Sequence, residues 1–304
     1  TFNQGSRRVD EFHAWRISEW LWNNRSMTEG HVNSNVVVVS ADDISEYLRF
    51  AQTLVRQVGK ELLSRFRTDL VVDDKSAGHG FDPVTDVDKK VERLMRDAIT
   101  RQYPEHGIVG EEYGDHPGNG LTWVIDPIDG TRAFMTGMLH WGSLLGLSDG
   151  LRPIIGTMYQ PFVDELFWGI PREAGYLHGT KQSTICTRQC GALADAVMGT
   201  TGPEFYRQTQ ELEGLKRLRD RVLFTRFGGD CYVFAMVAMG QLDIGLEASL
   251  KPCDIQPMIP IIEGAGGIVT TWEGGDASQG GRVIAAGDPH IHAKAVEILQ
   301  GESV

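Results

Sequence analysis

The clearest pattern in the chain begins at Asp42. Ile44, Leu48, Ala51, Leu54, Val55, Val58, Leu62 and Leu63 recur with a helical period, which predicts an amphipathic helix of about 25 residues with one buried face. A second stripe, Val91, Leu94, Met95, Ala98 and Ile99, predicts a helix ending before Pro104. After it the apolar runs shorten. Gly107–Gly110, Leu121–Asp126, Ser143–Leu147, Ile154–Tyr159 and Glu165–Gly169 have the length of strands. The second half repeats the idiom with strands near Ala196–Thr200 and Val222–Thr225, a helix over Asp230–Met239 closed by Gly240, and a strand at Leu242–Glu247. A helix from Asp254 to about Gly264 and a strand around Gly267–Thr271 follow. Strands interleaved with long helices predict a layered α/β or α+β architecture.

The length of 304 residues fits one large domain or two subdomains. Residues 1–26 lack a clear period and hold Trp15, Trp20 and Trp22, so they read as an extension outside the fold, upstream of a natural start at Met27. Asp10, Glu11 and Glu19 beside Arg7 and Arg8 argue against a transit peptide, and no apolar core marks a secretory signal. Residues 27–304 are the expected folded unit, with any subdomain boundary near 150–180, at Gly150 or in the stretch Gly169–Gly179.

Composition narrows the function. With 41% apolar and 23% charged residues the chain is globular, and its net charge of −12 repels nucleic acid and anionic lipid. Neither is expected as a partner. The longest apolar run, Cys231–Met239, is too short to span a bilayer. The four cysteines, Cys186, Cys190, Cys231 and Cys253, suggest reduced thiols and a cytoplasmic location. Cys186 and Cys190 make no zinc motif, and His290 and His292 read as surface residues. An acidic protein still binds small phosphates where metal ions bridge the charges, so clustered carboxylates are the place to look.

They cluster at Glu111-Glu112 and in Trp123-Val124-Ile125-Asp126-Pro127-Ile128-Asp129-Gly130-Thr131. An apolar strand ends at Asp126, and Pro127 turns the chain so that Asp126, the Ile128 carbonyl and Asp129 point to one locus. Gly130 and Thr131 then open a helix whose free N–H groups suit a phosphate. Oxygen ligands of this kind suit Mg2+. A plain reading makes the Glu pair solvated surface and the two aspartates a turn and an N-cap. The aspartyl-phosphate class needs two aspartates two apart at a strand end; Asp126 and Asp129 have the wrong spacing, and Asp86 and Asp88 lead into a helix instead.

These residues resemble the inositol monophosphatase superfamily from about Asp42 onward. Besides Trp123–Thr131, the matching segments are Pro83–Asp88, Glu111-Glu112, Cys253–Pro257 and Glu263–Gly267. Cys253 replaces the usual aromatic, and Gln256-Pro257 the usual small pair. The resemblance implies a layered αβαβα sandwich of the inositol monophosphatase/fructose-bisphosphatase type, a homodimer, and two or three Mg2+ ions per site. It implies a first ion on Glu111, Asp126 and the Ile128 carbonyl, a second shared by Asp126, Asp129 and Asp254, and a third on Glu111, Glu112 and Asp88. The implied reaction is direct displacement by a cation-activated water, oriented by Thr131 with Glu111 or Asp88 as base, while Gly130 and Thr131 hold the phosphate. Lys75 is expected to close over the site.

Arg226–Tyr232, Leu242–Glu247 and Lys251–Asp254 resemble the histidinol-phosphate phosphatase branch, placing Asp230 and Glu247 beside the leaving group, with Asp254. Two carboxylates suit the ammonium and imidazole of L-histidinol phosphate. Asp230 as a plain helix N-cap and Glu247 as a solvated strand end are the bland alternatives, and Arg226 either contacts substrate or pairs with Asp230. The expected activity is hydrolysis of a small phosphorylated metabolite, L-histidinol phosphate in histidine biosynthesis. An inositol-1-phosphatase or broader sugar phosphatase is the alternative, and a non-catalytic regulator that binds metal and phosphate comes behind it.

Overall fold

The computed structural model describes residues 37–75 and 81–301; the expectations for residues 1–26 and Met27 lie outside the described residues. Two capped helices lead. In α1 (Ala41–Arg65), Ser40 Oγ accepts from Asp43 N while the Asp43 carboxylate accepts from Ser40 N, so both ends of the box are satisfied. In α2 (Asp86–Gln102), Thr85 and Asp88 repeat the arrangement. A short antiparallel pair, β1 (Val72–Asp74) and β2 (Pro83–Thr85), connects them.

Both helices pack on one face of an eight-stranded sheet. Its strands are β3 (Gly107–Gly110), β4 (Gly114–His116), β5 (Thr122–Asp129), β6 (Gly142–Ser148), β7 (Pro153–Gln160), β8 (Glu165–Ile170), β9 (Glu173–His178) and β10 (Lys181–Thr184). Spatial order is β10-β9-β8-β7-β6-β5-β3-β4, with only β3 and β5 parallel. Alternate residues serve opposite faces: Leu145 and Leu147 pack towards α1 and α2, whereas Leu144 joins the core on the other side. Burial on both faces makes these strands read as continuous apolar runs.

The chain leaves this sheet after Thr184 and enters a second at Val197, so the changeover falls beyond the glycine-rich stretch near 150–180. The second sheet, in order β12-β11-β13-β15-β14, holds β11 (Val197–Thr200), β12 (Phe224–Phe227), β13 (Ile244–Leu250), β14 (Ile268–Thr271) and β15 (Gly281–Ala286). α4 (Thr209–Arg219) and α8 (Pro289–Leu299) cover its outer face. α5 (Cys231–Ala238) and α7 (Met258–Gly264) fill the space between the sheets. The layers run αβαβα, as expected.

The inner seam is tight. A Cβ on Gly156 would lie 1.8 Å from the Pro257 carbonyl oxygen, and one on Gly169 would lie 2.2 Å from that of Pro260, so the backbone of α7 rests on the sheet. The helix expected from Asp254 to Gly264 is two pieces, α6 (Pro252–Ile255) and α7, because Pro257 interrupts it. His292 is not a surface residue: it is buried, its Nε2 2.9 Å from Thr270 Oγ1, while His290 is exposed. Among the described residues no helix is long and apolar enough to cross a membrane.

Candidate active site

A bulge builds the centre of the site. The register between β5 and β6 shifts between Asp126 and Asp129, so two carboxylates three residues apart share one side of the strand, which regular pleating forbids. Gly130 takes φ 84°, and a Cβ there would meet the His140 carbonyl oxygen at 2.6 Å. The short helix α3 (Thr131–Met135) follows. Asp126, only 1% exposed, accepts from Ile128 N at 3.0 Å; Asp129 accepts from Cys231 N at 2.6 Å. Thr131 Oγ1 donates to the Ile128 carbonyl at 3.0 Å.

The second half of the chain supplies Asp254, on α6, whose carboxylate accepts from Lys251 N at 2.7 Å. Ligand atoms of Asp126, Asp129 and Asp254 lie within 4.8 Å of one another, and so do those of Glu111, Asp126 and Cys253. Burial pushes Asp126 well above the usual carboxylate range, and repulsion from Glu111, Asp129 and Asp254 adds to it. Burial and then repulsion by Asp254 and Asp230 raise Asp129, and burial with Glu111 brings Asp254 to about 6. Glu111 differs. Burial raises it too, but Lys251 and Lys75, at 2.9 and 3.0 Å from its Oε1, outweigh that and hold it below its ordinary value. A crowd of hard carboxylate oxygens that repel one another, buried at Asp126 and half-buried at Glu111, Asp129 and Asp254, fits a divalent cation.

Asp88 and Glu112 lie outside both ligand groups. Asp88 is turned into the Thr85 cap, its carboxyl raised to about 7 by burial, and Glu112 accepts from Lys75 Nζ at 2.8 Å. Glu92 fixes this turn from beneath, accepting from Glu112 N at 2.6 Å and Arg96 Nε at 2.7 Å. Lys75 reaches the acidic pair, with Nζ 3.0 Å from Glu111 Oε1 and 2.8 Å from Glu112 Oε1.

Asp230 and Glu247 line the same cleft as Glu111, Asp126, Asp129 and Thr131. Glu247 is not a solvated strand end: it is 3% exposed, and its Oε1 accepts from Thr201 N at 2.6 Å and Thr201 Oγ1 at 2.8 Å. Asp230 stands at the start of α5 without capping it; its backbone is at φ 44°, and its N–H donates to Thr201 Oγ1 at 3.1 Å. Burial brings Glu247 to about 8 and Asp230 to about 7, the latter opposed by Arg132. Arg226 is not brought in. It is exposed on β12 and borders a separate, mostly apolar groove with His140, Glu165 and Tyr232.

Four contributors escape a reading by motif. Lys251 lies within a quoted segment without being marked, Arg132 follows Thr131, the Cys253 thiol is a possible donor, and Thr201 has no motif around it. Only the first three leave a signal, adjacency to an assigned residue.

Residues 43–303 match the model of the inositol monophosphatase family. The chain is 34% identical over 280 residues to the chloroplastic bifunctional phosphatase IMPL2 of Arabidopsis thaliana, covering 88% of this chain and 79% of the relative. It is 32% identical over 232 residues to the histidinol-phosphatase of Chlorobaculum parvum, covering 75% and 86% respectively. The fold is similar to a solved inositol monophosphatase from Zymomonas mobilis, with TM-score 0.74, 34% identity, and 84% of this chain and 98% of that one covered.

Proposed function

The chain belongs to the inositol monophosphatase family, and from that premise we propose that it hydrolyses L-histidinol phosphate to L-histidinol and phosphate with Mg2+ in the site. The observation that carries this reading is that the buried Glu247 and the half-buried Asp230 line the same cleft as the acidic cluster. An alcohol bearing an ammonium and an imidazole meets two carboxylates with charge-assisted hydrogen bonds, whereas a neutral polyol offers them only neutral hydroxyl donors. The likeness to a histidinol-phosphatase points the same way.

In this reading Glu111, Asp126, the Ile128 carbonyl, Asp129 and Asp254 would hold two ions, and Glu111, Glu112 and Asp88 would hold a third once Asp88 turns out of its cap. Bound Mg2+ supplies charge neutralisation and lowers the pKa of water. The chain does the rest. Thr131, its hydroxyl proton held by the Ile128 carbonyl, keeps a lone pair free to accept a hydrogen bond from the attacking water and so orients it. Glu111 would take a proton from that water directly as base, since it lines the cleft while Asp88 is turned into its cap. The N–H groups of Gly130 and Thr131 hold the phosphate as charge builds on it. The same reading makes the enzyme a cytoplasmic homodimer, which light scattering on the full chain tests for assembly.

An inositol-1-phosphatase is the second reading, favoured by the likeness to the Zymomonas mobilis enzyme. The deciding experiment is phosphate release from L-histidinol phosphate and inositol 1-phosphate side by side, with Mg2+ and with chelator. A chelator-sensitive preference for L-histidinol phosphate is expected. Preference for inositol 1-phosphate keeps the metal site and discards the role of Asp230 and Glu247; no turnover of either brings forward a non-catalytic regulator.

A further inference from the structure

Arg132 follows Thr131 in α3 and lines the cleft. Its guanidinium is engaged twice: Nη2 donates to the Phe81 carbonyl, and the central carbon lies 4.6 Å from the centroid of the Phe205 ring. Phe81 belongs to the segment entering β2, and Phe205 to the turn Pro203–Phe205 after β11. That turn is held from its other side by Ser249 Oγ, which donates to the Phe205 carbonyl at 3.0 Å. Ser249, at φ 62°, sits on the register shift of β13 just past Glu247. One side chain therefore joins three segments remote in sequence, all bordering the cleft. Its charge also acts on Asp230, against the effect of burial. An arginine suits this place because its plane donates at the edge while its face stacks on a ring, which an ammonium does not do.

We propose that Arg132 is a specificity-determining residue: with Phe205 and the Phe81 carbonyl it forms a clasp that sets the shape of the leaving-group pocket, favouring phosphomonoesters whose alcohol carries a cationic group. This rests on the reading of Asp230 and Glu247 given above. Without the guanidinium, the Phe205 ring loses its brace, and Asp230 loses the nearby positive charge that favours its ionised form, the form that binds a cationic group.

The test compares kcat/KM for L-histidinol phosphate with that for glycerol 2-phosphate, whose alcohol is neutral, in the full chain with Mg2+. Arg132→Ala lowers this ratio about tenfold, mainly through KM, the size expected for losing one stacked, hydrogen-bonded contact. Arg132→Lys recovers less than half of that change on a logarithmic scale. Phe205→Leu lowers the ratio about threefold, and the double variant Arg132→Ala/Phe205→Leu is no worse than Arg132→Ala alone, because both act through one contact. An unchanged ratio, an equal fall of kcat on both esters, or fully additive losses in the double variant overturns the clasp. Where the wild type prefers inositol 1-phosphate to L-histidinol phosphate, the substrate reading has failed. The clasp then stands or falls on the same ratio taken with inositol 1-phosphate.

Discussion

The two walls of the cleft both carry buried carboxylates, and they are built in opposite ways. On one, Asp126, the Ile128 carbonyl and Asp129 come from four consecutive residues turned by a bulge, and the acids crowd each other. On the other, Asp230 and Glu247 come from different elements and are supported by one residue, Thr201, with burial as the main cause of their raised pKa values. Crowded acids, once ionised, need a cation to hold them together, and without one they keep their protons. Burial near neutrality leaves a choice, ionised with a cationic ligand or neutral without one.

The sharpest way to break this contrast is Asp126→Asn. Phosphate release should fall by about a thousandfold or more, since cation-based activation is lost. Melting in chelator should be unchanged or higher, because Asn still accepts from Ile128 N and removes a charge the fold disfavours. Turnover within tenfold of wild type would remove the metal wall from the mechanism.

Next is Asp230→Ala, expected to lower kcat/KM for L-histidinol phosphate about 30-fold, the worth of a charge-assisted hydrogen bond of roughly 2 kcal/mol. Inositol 1-phosphate should lose less than about threefold. Asp230→Asn, better suited to φ 44°, controls for backbone strain. Equal losses on both esters would make Asp230 a structural residue.

pH separates the walls further. Glu247 is raised from 4.5 to about 8 and Asp230 from 3.8 to about 7, so the folded state holds more protons than the unfolded one between those values. Stability therefore falls as pH rises through that window, and it levels off above about pH 8. In chelator, the melting temperature should drop between about pH 5 and 8, and Glu247→Gln should flatten the drop. Selectivity for the ammonium-bearing ester over glycerol 2-phosphate should rise over the same interval as the pair ionises. A selectivity that falls would contradict the role of the pair.

The smallest effect belongs to Thr201→Val. It removes one hydroxyl bond to Glu247 and the acceptor for Asp230 N, and KM for L-histidinol phosphate should rise about fivefold, near 1 kcal/mol. A change larger than that of Asp230→Ala would place Thr201 itself against the substrate.

The metal wall was legible because its chemistry is local: Asp126 to Thr131 carry strand, turn, ligands and helix start in one run. α1 was legible for the same reason, having a long periodic stripe. Thr201 was not, because nothing around it announces that it meets Glu247, which lies 46 residues on. Arg226 looked like a site residue by adjacency to Asp230, but the glycines between them turn the chain, and Gly228 at φ 83° carries Arg226 to the other side of α5. α8 is the reverse case, with Ile291, Ala295, Ile298 and Leu299 periodic behind an Asp288 cap and Pro289. There the signal is present in the sequence, masked by the two polar histidines in the first turn.

The seam at Gly156 and Gly169 has a consequence for a chain still being made. Asp126 and Asp129 emerge from synthesis well before Asp254, which joins them only when α6 and α7 settle onto those bare backbone positions. A nascent chain thus holds an incomplete ligand set until its last third has been added and docked. A methyl group at Gly169 would delay or prevent that final fit, so it would silence the site from a distance while every ligand remained in the sequence.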